Sequence, residues 1–349
     1  MNIDVIGWDI GGAHIKAASL DRSGSVVRVI QRDCPLWKGV SYLEDGLNWI
    51  TAELNGSNVS HAITMTGELV DLFGDRQEGV LTILNAVDQQ LSPASVSVFA
   101  GHHGFLSISG VSEKNYQAVA SANWLASGLW VAQKTKAVLF ADIGTTTTDL
   151  ILIENNQVKV RGYTDFERMR YDELVYTGIA RTPVMALIDR VPFEGEFVGM
   201  MAEHFATTAD VYRITGELPE YVDQLPAADE GEKTGRESTR RLARMIGRDV
   251  NSADRWKWRR LARHLREQQL NKIRLACEKQ FSRADLDNLS IVGAGVGRFL
   301  LKDLASRFGV PYIDFGSFFS YKNPSDGFKP ADCAPVVSVA KLLRRSRCQ

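Results

Sequence analysis

Asp142, Ile143 and Gly144, followed by Thr145, Thr146, Thr147 and Thr148, are the residues of this chain best suited to chemistry on a phosphate. A carboxylate at a turn orients Mg²⁺ or its waters, and threonine hydroxyls with backbone N–H groups grip phosphate oxygens. Gly144 lets the backbone come close to a ligand. The apolar run Val138–Ala141 reads as a buried strand entering the turn, and Leu150–Ile153, after Asp149, as a β-rich strand leaving it.

The figure occurs twice. Asp9-Ile10-Gly11-Gly12 repeats the Asp-Ile-Gly core near the start of the chain, again between an apolar strand and a mixed one. One such turn is ordinary sheet architecture; a pair implies two related half-molecules. Lys16, seven residues after Asp9, would meet a phosphate as a point charge, or else be a solvated strand lysine. His14 shares its strand face and reads as structural.

Other candidates are weighed against simpler readings. Gly293-Ala294-Gly295-Val296-Gly297, between a strand and a helix, suits a helix N-terminus facing a phosphate or nucleoside, or close helix–strand packing. A dinucleotide fold would use Asp314, but too little chain follows for it. His102 and His103 point to opposite sides of an extended chain and read as a polar loop rather than a metal site. Arg240, Arg241, Arg244, Arg248, Arg255, Lys257, Arg259, Arg260 and Arg263 could receive a polyanion, but acids are interleaved with them and they read as solvated helix faces.

Positioning these groups calls for three strands (Ile3–Trp8, Ile15–Leu20, Val26–Arg32), then helix and strand in alternation. Helices are expected at Tyr42–Leu54, Gln77–Gln89 and Ala118–Lys134, and strands at Ala62–Met65 and Ser95–Phe99. The order restarts at Val138, with a third strand at Val158–Tyr163. A breaker-rich segment, 165–229, shows helical signal at Val198–Tyr212 and reads as an insertion. Helices at Arg236–Gly247, Ala253–Phe281 and Arg298–Phe308, strands at Leu289–Val292 and Pro311–Ile313, and a closing helix at Pro335–Arg344 complete the pattern. The fold class expected is α/β, two ribonuclease-H-like domains facing a central cleft. The domains are 1–134, with the C-terminal helix 332–349 packing back on it, and 135–331, with a helical insertion at about 165–285.

With 349 residues there is chain enough for two domains, and a net charge of −1 gives no reason to expect nucleic acid. Cys34, Cys277, Cys333 and Cys348 form no C-x-x-C pair, as in a reducing cytoplasm. No membrane span is expected, and Met1-Asn2-Ile3-Asp4 does not open a signal peptide.

The two Asp-x-Gly turns and the late glycine turn resemble the acetate/sugar kinase, heat-shock chaperone and actin superfamily. Asp9–Gly12 looks like its first phosphate loop, Asp142–Thr146 its second, and Gly293–Gly297 its adenosine loop. Ala13 stands where sugar kinases usually carry Thr or Ser, which argues against a simple kinase. A closer resemblance spans essentially the whole chain. It rests on Met65-Thr66-Gly67-Glu68-Leu69 with Asp71 and Arg76, Ala122-Asn123-Trp124, Arg181-Thr182-Pro183, Thr207–Gly216 and Arg240–Asp249. These look like the signature segments of the hydantoinase/oxoprolinase-like family linked to tetrahydromethanopterin-dependent one-carbon transfer.

That resemblance implies a transferase. Family members in methanogens join an aminomethylfuran diphosphate to a glutamyl-tyramine phenol in methanofuran biosynthesis, and in methylotrophs the product would be methylofuran. It implies Mg²⁺ at Asp9 and Asp142, and a leaving diphosphate held by Lys16, Gly11, Gly12, Gly144, Thr145, Thr146 and Thr147. A base is expected among Asp9, Asp142 and Glu68. Thr66, Asn123, Arg181, Asp210, Gly293 and Gly295 are placed at the substrate by resemblance. The partners implied are a small-molecule diphosphate and a phenol, with a nucleotide and a homo-oligomer both left open. The rival readings are an ATP-dependent small-molecule kinase and a non-catalytic, nucleotide-switched binding protein.

Overall fold

The computed structural model describes residues 3–56, 59–92, 94–250, 254–285, 289–322 and 327–347. Met1, Asn2, Ala253 and Cys348, on which expectations above rest, lie outside them. The chain forms two compact units, Met1–Ala137 with Ile153–Lys159 and Asp314–Gln349, and Val138–Leu152 with Val160–Ile313.

The first unit contains β1 (Ile3–Ile10), β2 (His14–Asp21), β3 (Val26–Asp33), α1 (Ser41–Glu53), β4 (Ser60–Met65), α2 (Arg76–Leu91), β5 (Ser95–Phe99), β6 (Phe105–Leu106) and α3 (Asn123–Ala132). Its sheet order is β3-β2-β1-β4-β5-β6. β1 runs antiparallel to β2, with Asp9 opposite Lys16, and parallel to β4, with Ile10 opposite Met65. β4 is buried throughout, as a strand covered on both faces must be. On one face Ile6, Trp8 and Ile10 meet Leu43, Leu47 and Ile50 of α1 and Val80, Ile83 and Val87 of α2. Those helix residues recur at the three- and four-residue spacing that makes one apolar stripe.

In the second unit and the segments beside it, the elements are β7 (Ala137–Ile143), β8 (Thr148–Glu154), β9 (Gln157–Val158), α4 (Asp165–Arg170), β10 (Leu174–Val175), β11 (Arg190–Phe193) and β12 (Glu196–Gly199). Then come α5 (Thr208–Thr215), α6 (Gly235–Arg244), α7 (Arg255–Phe281), β13 (Ser290–Ala294), α8 (Arg298–Phe308), β14 (Tyr312–Asp314) and α9 (Ala334–Ser346). The sheet order is β10-β8-β7-β13-β14, with β9 paired to β8. β7 and β13 are parallel, placing Ala141 beside Gly293 and Asp142 beside Ala294. A second core, with Val211 of α5, Leu242 of α6 and Trp258, Leu261 and Leu265 of α7, joins the inserted helices. α9 lies on the other face of β1, where a Cβ on Gly7 would overlap the Val336 carbonyl. No described helix is long and apolar enough to cross a membrane.

Four expectations need correction. The helix expected at Ala118–Lys134 is interrupted: a short turn at Tyr116–Ala118 ends before Ser121, whose φ of +49° breaks the helical path, and α3 starts at Asn123. The strand expected at Val158–Tyr163 stops at Val158, because Thr164 caps α4 through a reciprocal bond with Glu167. The helical signal at Val198–Tyr212 divides between β12 and α5. Glu194 and Gly195, at φ +52° and +91°, turn β11 into β12. Residues 314–331, expected in the second domain, group with the first, where Ser320 and Lys322 bracket Val26 with backbone hydrogen bonds of 2.9 and 3.0 Å.

A buried imidazole lies against the first core. The Trp8 indole N–H donates to His61 Nδ1 at 2.9 Å, so the imidazole proton sits on Nε2 and the ring is neutral. Burying an indole of about 200 Å² is worth at most roughly 5 kcal/mol. Burial pushes His61 from its ordinary 6.5 down to about 4. The unfolded chain takes up that proton more readily, so His61's contribution is complete above about pH 6.5 and is lost as pH falls towards 4. The shift corresponds to about 3 kcal/mol. Urea unfolding of wild type should therefore weaken between pH 7 and pH 4.5 more than that of His61→Gln, which keeps an acceptor but does not titrate. Parallel pH dependences would contradict this.

Candidate active site

Asp9 stands at the carboxyl end of β1 and is 1% exposed. A buried carboxylate needs partners, and it has two. Lys16 Nζ lies 3.2 Å from Oδ2, and Asn123 Nδ2 donates to Oδ1 at 3.3 Å. The lysine comes from the facing position of β2, and the asparagine from the first turn of α3, 114 residues away. Asn123 is itself oriented by the Trp124 N–H, which donates to its Oδ1 at 2.7 Å. Half-exposed Lys16 is thus neither the fully solvated strand lysine nor an unengaged cation.

The parallel pairing of β1 and β4 brings the segment after β4 to the same place. The Thr66 N–H donates to the Ile10 carbonyl at 2.9 Å, and a Cβ on Gly11 would come 3.5 Å from Thr66 Oγ1. Glu68, 1% exposed, accepts the Ser121 hydroxyl at 2.6 Å. Ser121 holds the left-handed conformation, which costs a residue with a Cβ of order 1–3 kcal/mol and needs support from its surroundings. Sequence reasoning missed Ser121 because nothing in Ala120-Ser121-Ala122 marks a left-handed residue. Asp9, Lys16 and Asn123 form one cluster, and Glu68 with Ser121 a buried pair. Gly12 is pinned by Val70, whose Cγ1 would sit 2.6 Å from an added Cβ.

The second unit builds its turn from β7 and β8. The Gly144 N–H donates to the Thr147 carbonyl at 2.9 Å, closing the turn. The Thr145 carbonyl accepts from the N–H groups of Ala180 and Arg181 at 3.1 and 2.8 Å, which ties the turn to the Arg181-Thr182-Pro183 segment. Arg181 Nη1 then reaches Thr146 Oγ1 at 3.4 Å. Thr145, Thr146 and Thr147 are partly exposed, while Thr148 is buried and donates to the Thr177 carbonyl at 2.8 Å. Asp149 is spent on structure, paired at 2.8 Å with Arg168.

The glycine turn after β13 presses on this unit's carboxylate. At Gly295, φ +82°, a Cβ would overlap both the Ile143 carbonyl and Oδ1 of Asp142. A Cβ on Gly293 would come 2.5 Å from the Tyr312 ring, and the Gly297 N–H donates to the Ile143 carbonyl at 2.8 Å. Packing against protein atoms accounts for all three glycines. Asp142 is half-buried over a cradle that only glycine leaves open.

Asp210 lies apart from both turns in its hydrogen bonding. It is 2% exposed, caps α5 by accepting from the Thr207 N–H at 3.0 Å, and is held by Arg241 at 2.8 Å. Arg241, read from sequence as part of a solvated face, is fully buried and also bridges to Asp229 at 3.0 Å. The interleaved acids that suggested solvation are its partners. His102 lies on an exposed short turn, as does His103. Among the described residues no three His, Cys, Asp or Glu side chains gather as a metal cage. Mg²⁺ is commonly bound by one or two carboxylates together with substrate phosphates, so Asp142 over its glycine cradle fits that mode. Asp9, with both oxygens engaged, suits an outer, orienting role.

Gly295→Ala should be destabilising by about 1–3 kcal/mol, since the Cβ meets backbone and the conformation is left-handed. Chemical denaturation would measure it. An unchanged midpoint would show that the turn relaxes freely and does not fix Asp142.

Comparison with known proteins agrees with this architecture. The hydantoinase/oxoprolinase family model matches residues 60–320. A (4-{4-[2-(gamma-L-glutamylamino)ethyl]phenoxymethyl}furan-2-yl)methanamine synthase from Methanocaldococcus jannaschii is 30% identical over 349 residues, 99% of each chain. The Methanococcus vannielii protein of that name is 27% identical over 172 residues, covering 49% of this chain and 76% of its own. Among solved structures, a nucleotide-free acetone carboxylase overlays with a TM-score of 0.56 at 11% identity, covering 97% of this chain and 69% of that one. At that identity the overlay shows a shared fold, here α/β with a sheet of mixed strand directions in each unit. The chain belongs to the hydantoinase/oxoprolinase family, in the branch of the furan-methanamine synthases.

Proposed function

We propose that the protein is a cofactor-biosynthesis transferase that joins an aminomethylfuran diphosphate to the phenol of a tyramine or tyrosine derivative, releasing diphosphate. The observation that carries this reading is the end-to-end similarity to a synthase whose named product is a phenoxymethyl-furan methanamine. In the reaction, the phenol oxygen bonds to the furfuryl carbon, the carbon–oxygen bond to diphosphate breaks, and the phenolic proton passes to a carboxylate. The furan oxygen stabilises positive charge on that carbon, so the protein's main task is to hold the leaving group.

The groups on the two turns suit that task. Thr145, Thr146, Thr147 and Arg181 supply donors for diphosphate oxygens, and Gly144 permits close approach. Lys16 adds a positive charge, fixed by Asp9. Bound Mg²⁺, held through Asp142, would neutralise charge growing on the departing diphosphate. A free phenol titrates near pH ~10, so a base assists at neutral pH. One carboxylate takes that proton, Asp142 or Asp9 ahead of Glu68. Thr66 and Asn123 then act as positioning residues, one on the Gly11 turn and the other on Asp9.

The test combines purified protein, Mg²⁺, aminomethylfuran diphosphate and a glutamylated tyramine, without nucleotide. Mass spectrometry should find the phenoxymethyl-furan ether, with diphosphate released in equal amount. Asp142→Asn should lose at least about a hundredfold in kcat, the scale of removing one preorganised electrostatic group, while its unfolding curve stays that of wild type. Near-normal turnover in that variant would remove Asp142 from the mechanism. No ether, with ADP formed when ATP and a small alcohol are supplied, would replace the transferase by a kinase.

A further inference from the structure

Away from the two turns, a groove of about 1070 Å³ opens between α5 and the first turns of α6 and α7. That is slightly above the usual range of small-molecule sites, about 300 to 1,000 Å³. Five arginines line it: Arg213, Arg236, Arg240, Arg255 and Arg259. Two are neutralised within the unit. Arg213 pairs with Asp223 at 2.5 Å, and Arg240 with Glu237 and Asp229 at 2.7 and 3.1 Å.

The other three have no carboxylate within ion-pair distance among the described residues, and all are exposed. Asp249 is the remaining acid of the lining, so positive charge is in excess. Asp254 stands at the N-cap of α7 and pairs with Lys257 at 3.0 Å, but the first turn itself carries no acid and presents Arg255 and Trp256. Trp256 is 58% exposed, with Arg260 at 5.3 Å from its ring. Arg236, Arg255 and Arg259, without an ion pair among the described residues, and the exposed indole together form a surface suited to binding an anion.

We propose that this groove binds a small oligoanion, a molecule carrying two or more carboxylates or phosphates in a chain. Guanidinium forks match both groups bidentately. The size of the groove and the acidic side chains Glu237 and Asp249 in its lining favour a compact ligand over a continuous nucleic-acid backbone. The inference is independent of the transferase reading.

Isothermal titration of the full chain at low salt with citrate and with tripolyphosphate provides the test. At least one should bind, and added salt should weaken it. Tighter citrate would identify a carboxylate ligand, and tighter tripolyphosphate a phosphate one. The doubly substituted Arg236→Ala/Arg259→Ala protein should bind about tenfold or more weakly, at an unchanged thermal midpoint. Trp256→Phe serves as a milder second variant, in which ligand-induced quenching of tryptophan fluorescence should shrink. No binding of either anion, equal affinity in the double variant, or binding of single-stranded RNA alone would overturn the proposal.

Discussion

Parallel pairing of the strand that ends in Asp-Ile-Gly is the constraint on which the rest of the structure depends. Parallel strands finish at the same edge of a sheet, so the segment following each is delivered to one place. In the first unit β1 and β4 finish together, and Thr66 bonds to Ile10. In the second, β7 and β13 do the same, and Gly297 bonds to Ile143. The repeat is therefore a repeat of topology more than of sequence. Each unit surrounds its carboxylate with a hairpin turn and with a loop from far along the chain.

The two carboxylates are nevertheless treated differently. Asp9 is nearly sealed and balanced by an ammonium and an amide, an arrangement that fixes its direction and answers the cost of burial. Asp142 keeps more exposure and rests on a backbone that has given up a side chain to make room.

What the sequence discloses follows from the range of the interaction. The strands around Asp9 and Asp142 were legible because burial on both faces writes a continuous apolar run. The turn itself was legible because Asp-Ile-Gly recurs. Asn123 could be placed beside a substrate only by resemblance, since its bond to Asp9 spans 114 residues. Arg241 misled for the opposite reason. A charge among charges looks solvated until the fold shows that Asp210 and Asp229 enclose it. The break at Ser121 had no local sign either, since the partner of its hydroxyl, Glu68, lies 53 residues away.

Fold and activity part company here, as they do in other widely used folds. A nucleotide-free acetone carboxylase shares the architecture at 11% identity, so the architecture alone selects no reaction. What it supplies is a pair of turns whose donors suit a phosphate-bearing group. Whether such a group is transferred or leaves depends on which of its bonds is weakest. At a furfuryl carbon the weak bond is the one to the diphosphate, since the ring oxygen shares the positive charge. On the proposed function, a turn suited to phosphates serves ether formation without new catalytic parts. A leaving diphosphate needs its charge balanced more than it needs its terminal phosphorus held in line for attack.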